Sequence, residues 1–288
     1  MQALSYQRAS TVGEAIELLR DGGETARVLA GGTDIIVQAR ERAREVSALV
    51  DIKHIPELTE FSYNASDGLS VGAATPLYRL YNDDSIKTHY PALVEAITVI
   101  GGTAIQGRAS IGGNLANSGP AGDSITSMMA LGAVANIAGP NGERSVPVAE
   151  FCTGPSLNVL ELGEFIVTIS FPAPPAHSGA AWQRFIPRNE MDIAVVNCGS
   201  YVELDGDTVV DARLALGAVG PTPLASPAAA EALIGRPISD ETIAAAAQAA
   251  HDTATPIDDM RGSIKQRKHL SRVLAQRTLD IAVERARA

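Results

Sequence analysis

The sequence predicts an α+β protein in two domains, and three observations carry the prediction. A strand, a glycine turn, a helix and a second strand follow one another between residues 26 and 52. Prolines and small residues gather in "PAPPAHSG" (172–179), the segment that best fits a linker. Beyond it, long alternating strands come first and helices follow, the order of an α+β unit. The expected division is 1–175 and 176–288.

Val12, Ala15, Ile16, Leu18 and Leu19 recur at helical spacing after Ser10-Thr11, with Glu14 in capping-box position three residues past Thr11. "ARVLA" (26–30) reads as a buried strand, "TDIIVQARERA" (33–43) as a helix and "ALVDI" (48–52) as a second strand, a βαβ-like opening. Alternation around "ASDGLSVGA" (65–73) predicts a hairpin turning at Asp67-Gly68, and residues 76–100 read as helical. A second hairpin turns at "GPNGE" (139–143). In the second domain "IAVVNCGSYVEL" (193–204) and "DTVVDARLALGAV" (207–219) flank an Asp205-Gly206 turn, and helices are expected at 226–233, 239–251 and 263–286. The last helix reads with an apolar stripe of Leu270, Val273, Leu274, Thr278 and Ile281. Lys265, Arg267, Lys268, Arg272, Arg277 and Arg285 would then form a solvated basic face, with partner docking as the alternative.

A formal net charge of −10 and only 4% aromatic residues disfavour nucleic acid, which needs a basic footprint and stacking platforms. The opening "MQALSYQRAS" lacks the pattern of an export signal, and no apolar run approaches the ~18 residues of a membrane span. A soluble, cytoplasmic protein with no membrane span is expected. Cys152 and Cys198 lie alone among apolar or small residues, which argues against a disulfide framework or a zinc site. His54, His89, His177, His251 and His269 are scattered, and Ser10, Ser118 and Ser124 lack the G-x-S-x-G context of a nucleophile elbow. No catalytic side chain and no metal ligand stands out.

What does stand out is glycine. In "AGGTD" (30–34), Gly31 and Gly32 offer a bare backbone that can turn sharply, and the amides opening the next helix suit an anion. Asp34 in the first turn, with Arg40, Arg42 and Arg44 near the end, would complement that helix's dipole without any ligand. Seven glycines crowd into "IGGTAIQGRASIGGNLANSGPAGDS" (100–124). There Gly112-Gly113 allow close approach, Ser110 and Asn114 are polar at the turn, and Asp123 can accept from a sugar or polyol hydroxyl. Two such loops suit a pyrophosphate-bearing dinucleotide. Neither is G-x-G-x-x-G nor G-x-x-x-x-G-K-[ST], so a Rossmann NAD site or a P-loop is not supported.

The pair "AGGTD" and "ASIGGNLANSGPAGDS" (109–124) resembles the medium, FAD-binding subunit of the molybdenum hydroxylases, the xanthine dehydrogenase and carbon monoxide dehydrogenase family. The resemblance spans essentially the whole chain, through "TGPSLNVLELGEFIVTISFP" (153–172) and "RFIPRNEMDIAVV" (184–196). It implies a two-lobed FAD-binding domain of the vanillyl-alcohol-oxidase (PCMH) type, with lobes of about 1–55 and 56–175, then a smaller α+β domain with a three-stranded antiparallel sheet covering the flavin. By the same resemblance Ala30, Gly31, Gly32, Thr33 and Asp34 wrap the pyrophosphate from one lobe, and Ser110, Ile111, Gly112, Gly113 and Asn114 from the other. Asp123 would hold a hydroxyl of FAD, Ile166 would pack on the cofactor, and Ile100 and Thr103 would join the site. Arg184 stands where many relatives carry a lysine near the isoalloxazine, keeping the charge but changing its geometry.

The implied role is a relay. A large molybdopterin-binding subunit would hydroxylate the substrate, a small subunit with two [2Fe-2S] clusters would pass the electrons on, and the FAD of this chain would deliver them to NAD, oxygen or a quinone. A dimer of heterotrimers is the implied assembly. Two isolated cysteines leave no place for the extra iron–sulfur centre that some relatives insert here. Carbon monoxide dehydrogenase relatives tend to have "GGHS" where this chain has "GGTD", which favours a purine, aldehyde or N-heterocycle enzyme over a carbon monoxide dehydrogenase. A stand-alone FAD-dependent oxidoreductase and a non-catalytic nucleotide-binding protein are the rival readings.

Overall fold

The computed structural model describes residues 3–288; Met1 and Gln2, which open the segment read for an export signal, lie outside the described residues. Strands β1 (Ser5–Arg8), β2 (Ala26–Leu29) and β3 (Ala48–Asp51) form a parallel sheet in the order β1-β3-β2. Helix α1 (Val12–Gly22) joins the first two strands and α2 (Ile35–Glu41) the last two, so β2-α2-β3 is the βαβ unit read from the sequence. Thr11 Oγ1 accepts the Glu14 N–H at 3.1 Å, while the Glu14 carboxylate returns to the N–H of Ser10 at 2.7 Å, one residue earlier than a strict capping box. Helix α2 is shorter than expected: the chain turns left-handed at Arg42 (φ 58°), which frees Arg44 from the helix altogether.

The second lobe is an antiparallel sheet of β4 (Phe61–Asn64), β5 (Gly68–Gly72), β6 (Val134–Gly139), β7 (Gly142–Pro147) and β10 (Phe165–Phe171), in the order β4-β5-β10-β6-β7. A small ribbon, β8 (Cys152–Gly154) with β9 (Leu157–Asn158), precedes β10. Both expected hairpins form, the first turning at Gly68 with φ +91°. The helical stretch 76–100 divides into α3 (Leu77–Asn82), α4 (Asp84–His89) and α5 (Pro91–Ile97). Asp83 ends one helix and caps the next, accepting the Ile86 N–H at 3.0 Å, and Pro91 starts the third where it has no N–H to lose. Short helices α6 (Thr103–Gln106), α7 (Ile111–Asn117), α8 (Asp123–Ala130) and α9 (Val148–Phe151) complete the lobe.

The C-terminal sheet has four antiparallel strands where three were expected: β11 (Ser178–Phe185), β12 (Val196–Asp205), β13 (Thr208–Gly217) and a two-residue edge strand, β14 (Leu224–Ala225). Helices α10 (Pro227–Glu231), α11 (Asp240–Thr253) and α12 (Ile264–Arg287) follow. Helices α11 and α12 share an apolar core with β12 and β13. Trp182, Tyr201 and Ala215 instead point into the core of the second lobe, with α8 between. All eight residues of α8 are buried for that reason.

Helix α12 corrects the expected stripe. Its buried positions are mostly small, Ser271, Ala275, Thr278, Ala282 and Ala286 beside Leu274, Leu279 and Val283, while Val273 and Ile281 are only half-buried. The helix backbone comes close to β11: a Cβ on Gly179 would lie 2.0 Å from the carbonyl oxygen of Ala282. Arg267, placed on the solvated face by spacing alone, is buried. It grips both oxygens of Asp259 at 2.7 Å and donates to the carbonyls of Val195 and Ala218.

Candidate functional site

Strand β2 delivers the chain to Ala30 and the first glycine pair at the seam between the lobes. Gly31 lies against the second lobe, where a Cβ would come within 2.0 Å of the Arg108 carbonyl oxygen; Gly32 has φ +79°. These two glycines are thus required by the fold itself. Across the seam, Ser110 caps α7, its Oγ accepting the Gly113 N–H at 3.1 Å, and Gly112 packs on Ala73, where a Cβ would lie 2.5 Å away. Gly113 differs: its missing Cβ would meet only Ser110 Oγ, at 3.1 Å, and the residue borders open space.

That space is a cleft of about 810 Å³ between the lobes, within the ~300–1,000 Å³ usual for small-molecule sites. Ala30, Gly31, Gly32, Thr33 and Asp34 line one wall, and Ser110, Gly112, Gly113 and Asn114 the other. Ile100, Ile105 and Ile166 belong to its apolar lining, as do Val28, Ile52 and Leu160. Asn117 ties the walls together, donating to Asp34 Oδ1 at 3.4 Å and accepting from Gln38 Nε2 at 3.1 Å. Asn114 is held by Ser124, whose hydroxyl donates to its Oδ1 at 2.7 Å.

Four residues of the expected site stand off the cleft lining. Thr103 is exposed at the start of α6, and the Ile111 side chain is fully buried in the second lobe. Asp123 and Arg184 meet each other instead, joining α8 to β11 through a 2.5 Å contact with both side chains more than nine-tenths buried. The other Asp123 oxygen accepts from Asn197 at 3.2 Å; Asn197 in turn accepts from Thr126 at 2.8 Å, and Thr126 from the Trp182 indole at 2.9 Å. Burial pushes the Asp123 carboxyl up, and with the Arg184 charge and the Asn197 amide opposing it the pKa stands at about 6.

The structure adds residues that the sequence reading passed over. Arg27 lies inside β2 and Arg44 beyond α2, and both line the cleft. An arginine within the apolar run "ARVLA" was the available signal. The 156–165 segment forms another wall, with Asn158 anchored on the Ala116 carbonyl at 2.8 Å. Neither cysteine has the setting of a reactive thiol: Cys198 is fully buried beside Ser200 and Thr278, its pKa pushed up to about 11, and Cys152 is half-buried with its pKa also raised by burial. Among the described residues no group of three or more His, Cys, Asp or Glu side chains could hold a metal, and no helix is long and apolar enough to cross a membrane.

Comparison with known proteins gives the cleft its context. The family model for the FAD binding domain in molybdopterin dehydrogenase matches residues 2–174, and that for the CO dehydrogenase flavoprotein C-terminal domain matches 183–282. The chain is 33% identical to a putative xanthine dehydrogenase FAD-binding subunit of Escherichia coli strain K12, over 98% of this chain and 97% of the other. Its fold superposes on a chain of the carbon monoxide dehydrogenase of Hydrogenophaga pseudoflava with a TM-score of 0.94 and 32% identity, covering 99% of this chain and 98% of that one. A chain of quinoline 2-oxidoreductase from Pseudomonas putida 86 gives 0.90 and 31%, covering 100% and 99%. The protein therefore belongs to the FAD-binding medium subunits of the molybdopterin hydroxylases, the xanthine and carbon monoxide dehydrogenase family.

Proposed function

We propose that this chain is the electron-exit subunit of a heterotrimeric molybdenum hydroxylase, holding FAD between its lobes and acting on electrons released from a purine, an aldehyde or an N-heterocycle. The observation that carries the reading is the cleft: two backbone-lined turns border one space whose lining mixes polar groups with apolar side chains, Ile100, Ile105 and Ile166 among them. The residues fit the cofactor. Gly113 leaves open the volume that a Cβ would fill, and Arg27 Nε is a buried donor with no partner in the protein.

In this reading Ala30 to Asp34 and Ser110 to Asn114 flank the pyrophosphate, with Ile111 contributing backbone only and Thr103 lying at the margin. Ile100 and Ile166 pack against the flavin. Asp123 stands off the cleft lining, where Arg184 and Asn197 take two of the roughly four acceptor sites of its carboxylate; a cofactor hydroxyl would take a third. Arg184 supplies a fixed positive charge behind it. Bound FAD supplies an acceptor that takes electrons singly or in pairs, which is why the chain needs no nucleophile of its own. A large molybdopterin subunit and a small subunit carrying two [2Fe-2S] clusters are the proposed partners, in a dimer of heterotrimers, with NAD, oxygen or a quinone as terminal acceptor. The substrate class rests on the "GGTD" loop and on the xanthine and quinoline enzymes among the relatives.

The test is purification from the native host without dissociating partners. Two co-purifying chains, flavin and iron–sulfur absorption, and bleaching by a purine, aldehyde or N-heterocycle are expected. Bleaching by carbon monoxide overturns the substrate assignment, and turnover by the lone 30.0 kDa chain overturns the subunit assignment.

A further inference from the structure

Away from the cleft, one surface is built against its own local physics. The loop between α11 and α12 turns at Asp259–Gly262, and Met260 at the tip is 93% exposed. The turn is braced. Asp259 accepts the N–H of Arg261 at 2.8 Å and of Gly262 at 3.2 Å, both of its oxygens take Arg267 Nη2 at 2.7 Å, and Asp258 accepts the Ile264 N–H at 2.6 Å. Ile257, 70% exposed, and Ile264 stand in the same segment. Lys265, Lys268 and Arg272 then recur at three and four residues along one face of α12, with Arg261 just ahead of the helix. This is the N-terminal end, where the helix dipole disfavours cations, and no acidic residue stands in the first turn. Among the described residues Arg261, Lys265 and Arg272 make no ion pair, and Lys268 is answered in part by Asp252.

A chain of net charge −10 that gathers cations against a helix dipole, beside apolar side chains held out on a braced turn, carries a cost that its own fold does not offset. A docked protein with an acidic face offsets it. Met and Arg are enriched in protein interfaces, and an anchor already fixed in place loses little freedom on binding. A lipid surface fits less well, because 257–272 contains no Trp, Tyr or Phe to sit at the headgroup level. The position of the surface selects the partner. Arg267, which braces the turn, donates to the carbonyls of Val195 and Ala218. The Val195 N–H donates to the carbonyl of Phe185, the neighbour of Arg184, and the Ala218 N–H to that of Pro120, three residues before Asp123. The surface therefore belongs to the end of the C-terminal domain that carries the Arg184–Asp123 pair, which in the proposed reading backs the FAD. We propose that Ile257, Met260 and Ile264, rimmed by Arg261, Lys265, Lys268 and Arg272, form the docking surface for the electron-delivering iron–sulfur subunit, whose matching face is acidic around an apolar pocket. The inference rests on the subunit reading and adds to it the contact surface and its chemistry.

The test expresses the tagged full chain together with its partner subunits and measures how firmly each is held at low and at high salt. Met260→Asp and the double variant Lys265→Glu with Lys268→Glu are each expected to weaken the hold on the iron–sulfur subunit roughly tenfold or more, and the charge variant to lose most of the salt dependence that wild type shows. Met260→Leu keeps the apolar anchor and should hold the partner as wild type does. None of these positions lines the cleft, so flavin content should not change. Thermal midpoints show whether each variant is folded; if Met260→Asp is not, the charge variant decides. An iron–sulfur subunit held as firmly by both variants as by wild type overturns the proposal, as does loss of the large subunit with the iron–sulfur subunit still bound. Self-association of the lone chain, or its binding to phosphatidylserine vesicles, that both variants abolish would make a second copy or a membrane the occupant and overturn it too. A wild-type chain that captures no partner overturns the subunit reading itself, a result distinct from these.

Discussion

Replacing Arg184 by methionine removes one half of a buried ion pair and leaves Asp123 in place. With both side chains less than a tenth exposed, the loss is expected to be about 3–5 kcal/mol where Asp123 is ionised. The pH dependence follows from the carboxyl itself. Burial already raises it to about 6 from an ordinary 3.8, which corresponds to roughly 3 kcal/mol against the charged form. A carboxyl raised in the folded state contributes its stability fully below the unfolded pKa and loses it as pH rises through the folded one. In Arg184→Met the largest influence holding Asp123 down is gone, so its folded pKa climbs further and the loss continues above pH ~6. The gap between wild type and variant should therefore be wide at pH ~8 and narrow, about 1 kcal/mol, at pH ~5, where both folded forms carry a largely protonated Asp123. Urea denaturation at the two pH values measures this, with Trp182, the sole tryptophan, reporting from the same hydrogen-bonded chain. An equal gap at both pH values, or one under about 1 kcal/mol at pH ~8, refutes the reasoning.

Three further outcomes are expected. Gly31→Ala puts a Cβ 2.0 Å from the Arg108 carbonyl oxygen, so it should destabilise the chain by about 1–3 kcal/mol and loosen FAD together, measured by thermal midpoint and flavin retention. Arg267→Met orphans the carbonyls of Val195 and Ala218, at about 1–3 kcal/mol for each that stays dry, read from the urea midpoint. A thiol reagent should modify Cys152 slowly and leave Cys198 untouched until the chain is unfolded, which a thiol titration with and without denaturant follows.

The local elements were legible in the sequence because each carries its own signal. Asp67-Gly68 and Asp205-Gly206 mark hairpins that form, and Thr11 with Glu14 marks a helix start that forms. What depends on tertiary approach was not legible. Ala282 and Ala286 face the sheet where backbone meets backbone at Gly179, and Thr278 is buried in a 2.7 Å hydrogen bond with Ser200, contacts no apolar stripe announces. Arg267 is buried because a loop and two strand ends supply its partners from elsewhere in the chain. The two-residue β14 is too short for alternation to show. At the site, the glycine pairs pointed to the seam, yet Gly31 and Gly112 turned out to be held by protein contacts, and the cleft itself was visible only once Arg27, Arg44 and the 156–165 wall were brought together.

The central claim, FAD in the cleft between the lobes, is tested most directly by the flavin content of wild type and Gly113→Val. The added branched side chain would enter the cleft with only Ser110 Oγ near its Cβ, so the fold should persist while the cofactor is excluded. The account predicts about one FAD per wild-type chain and a folded, colourless Gly113→Val. Full flavin occupancy in the folded variant would contradict it.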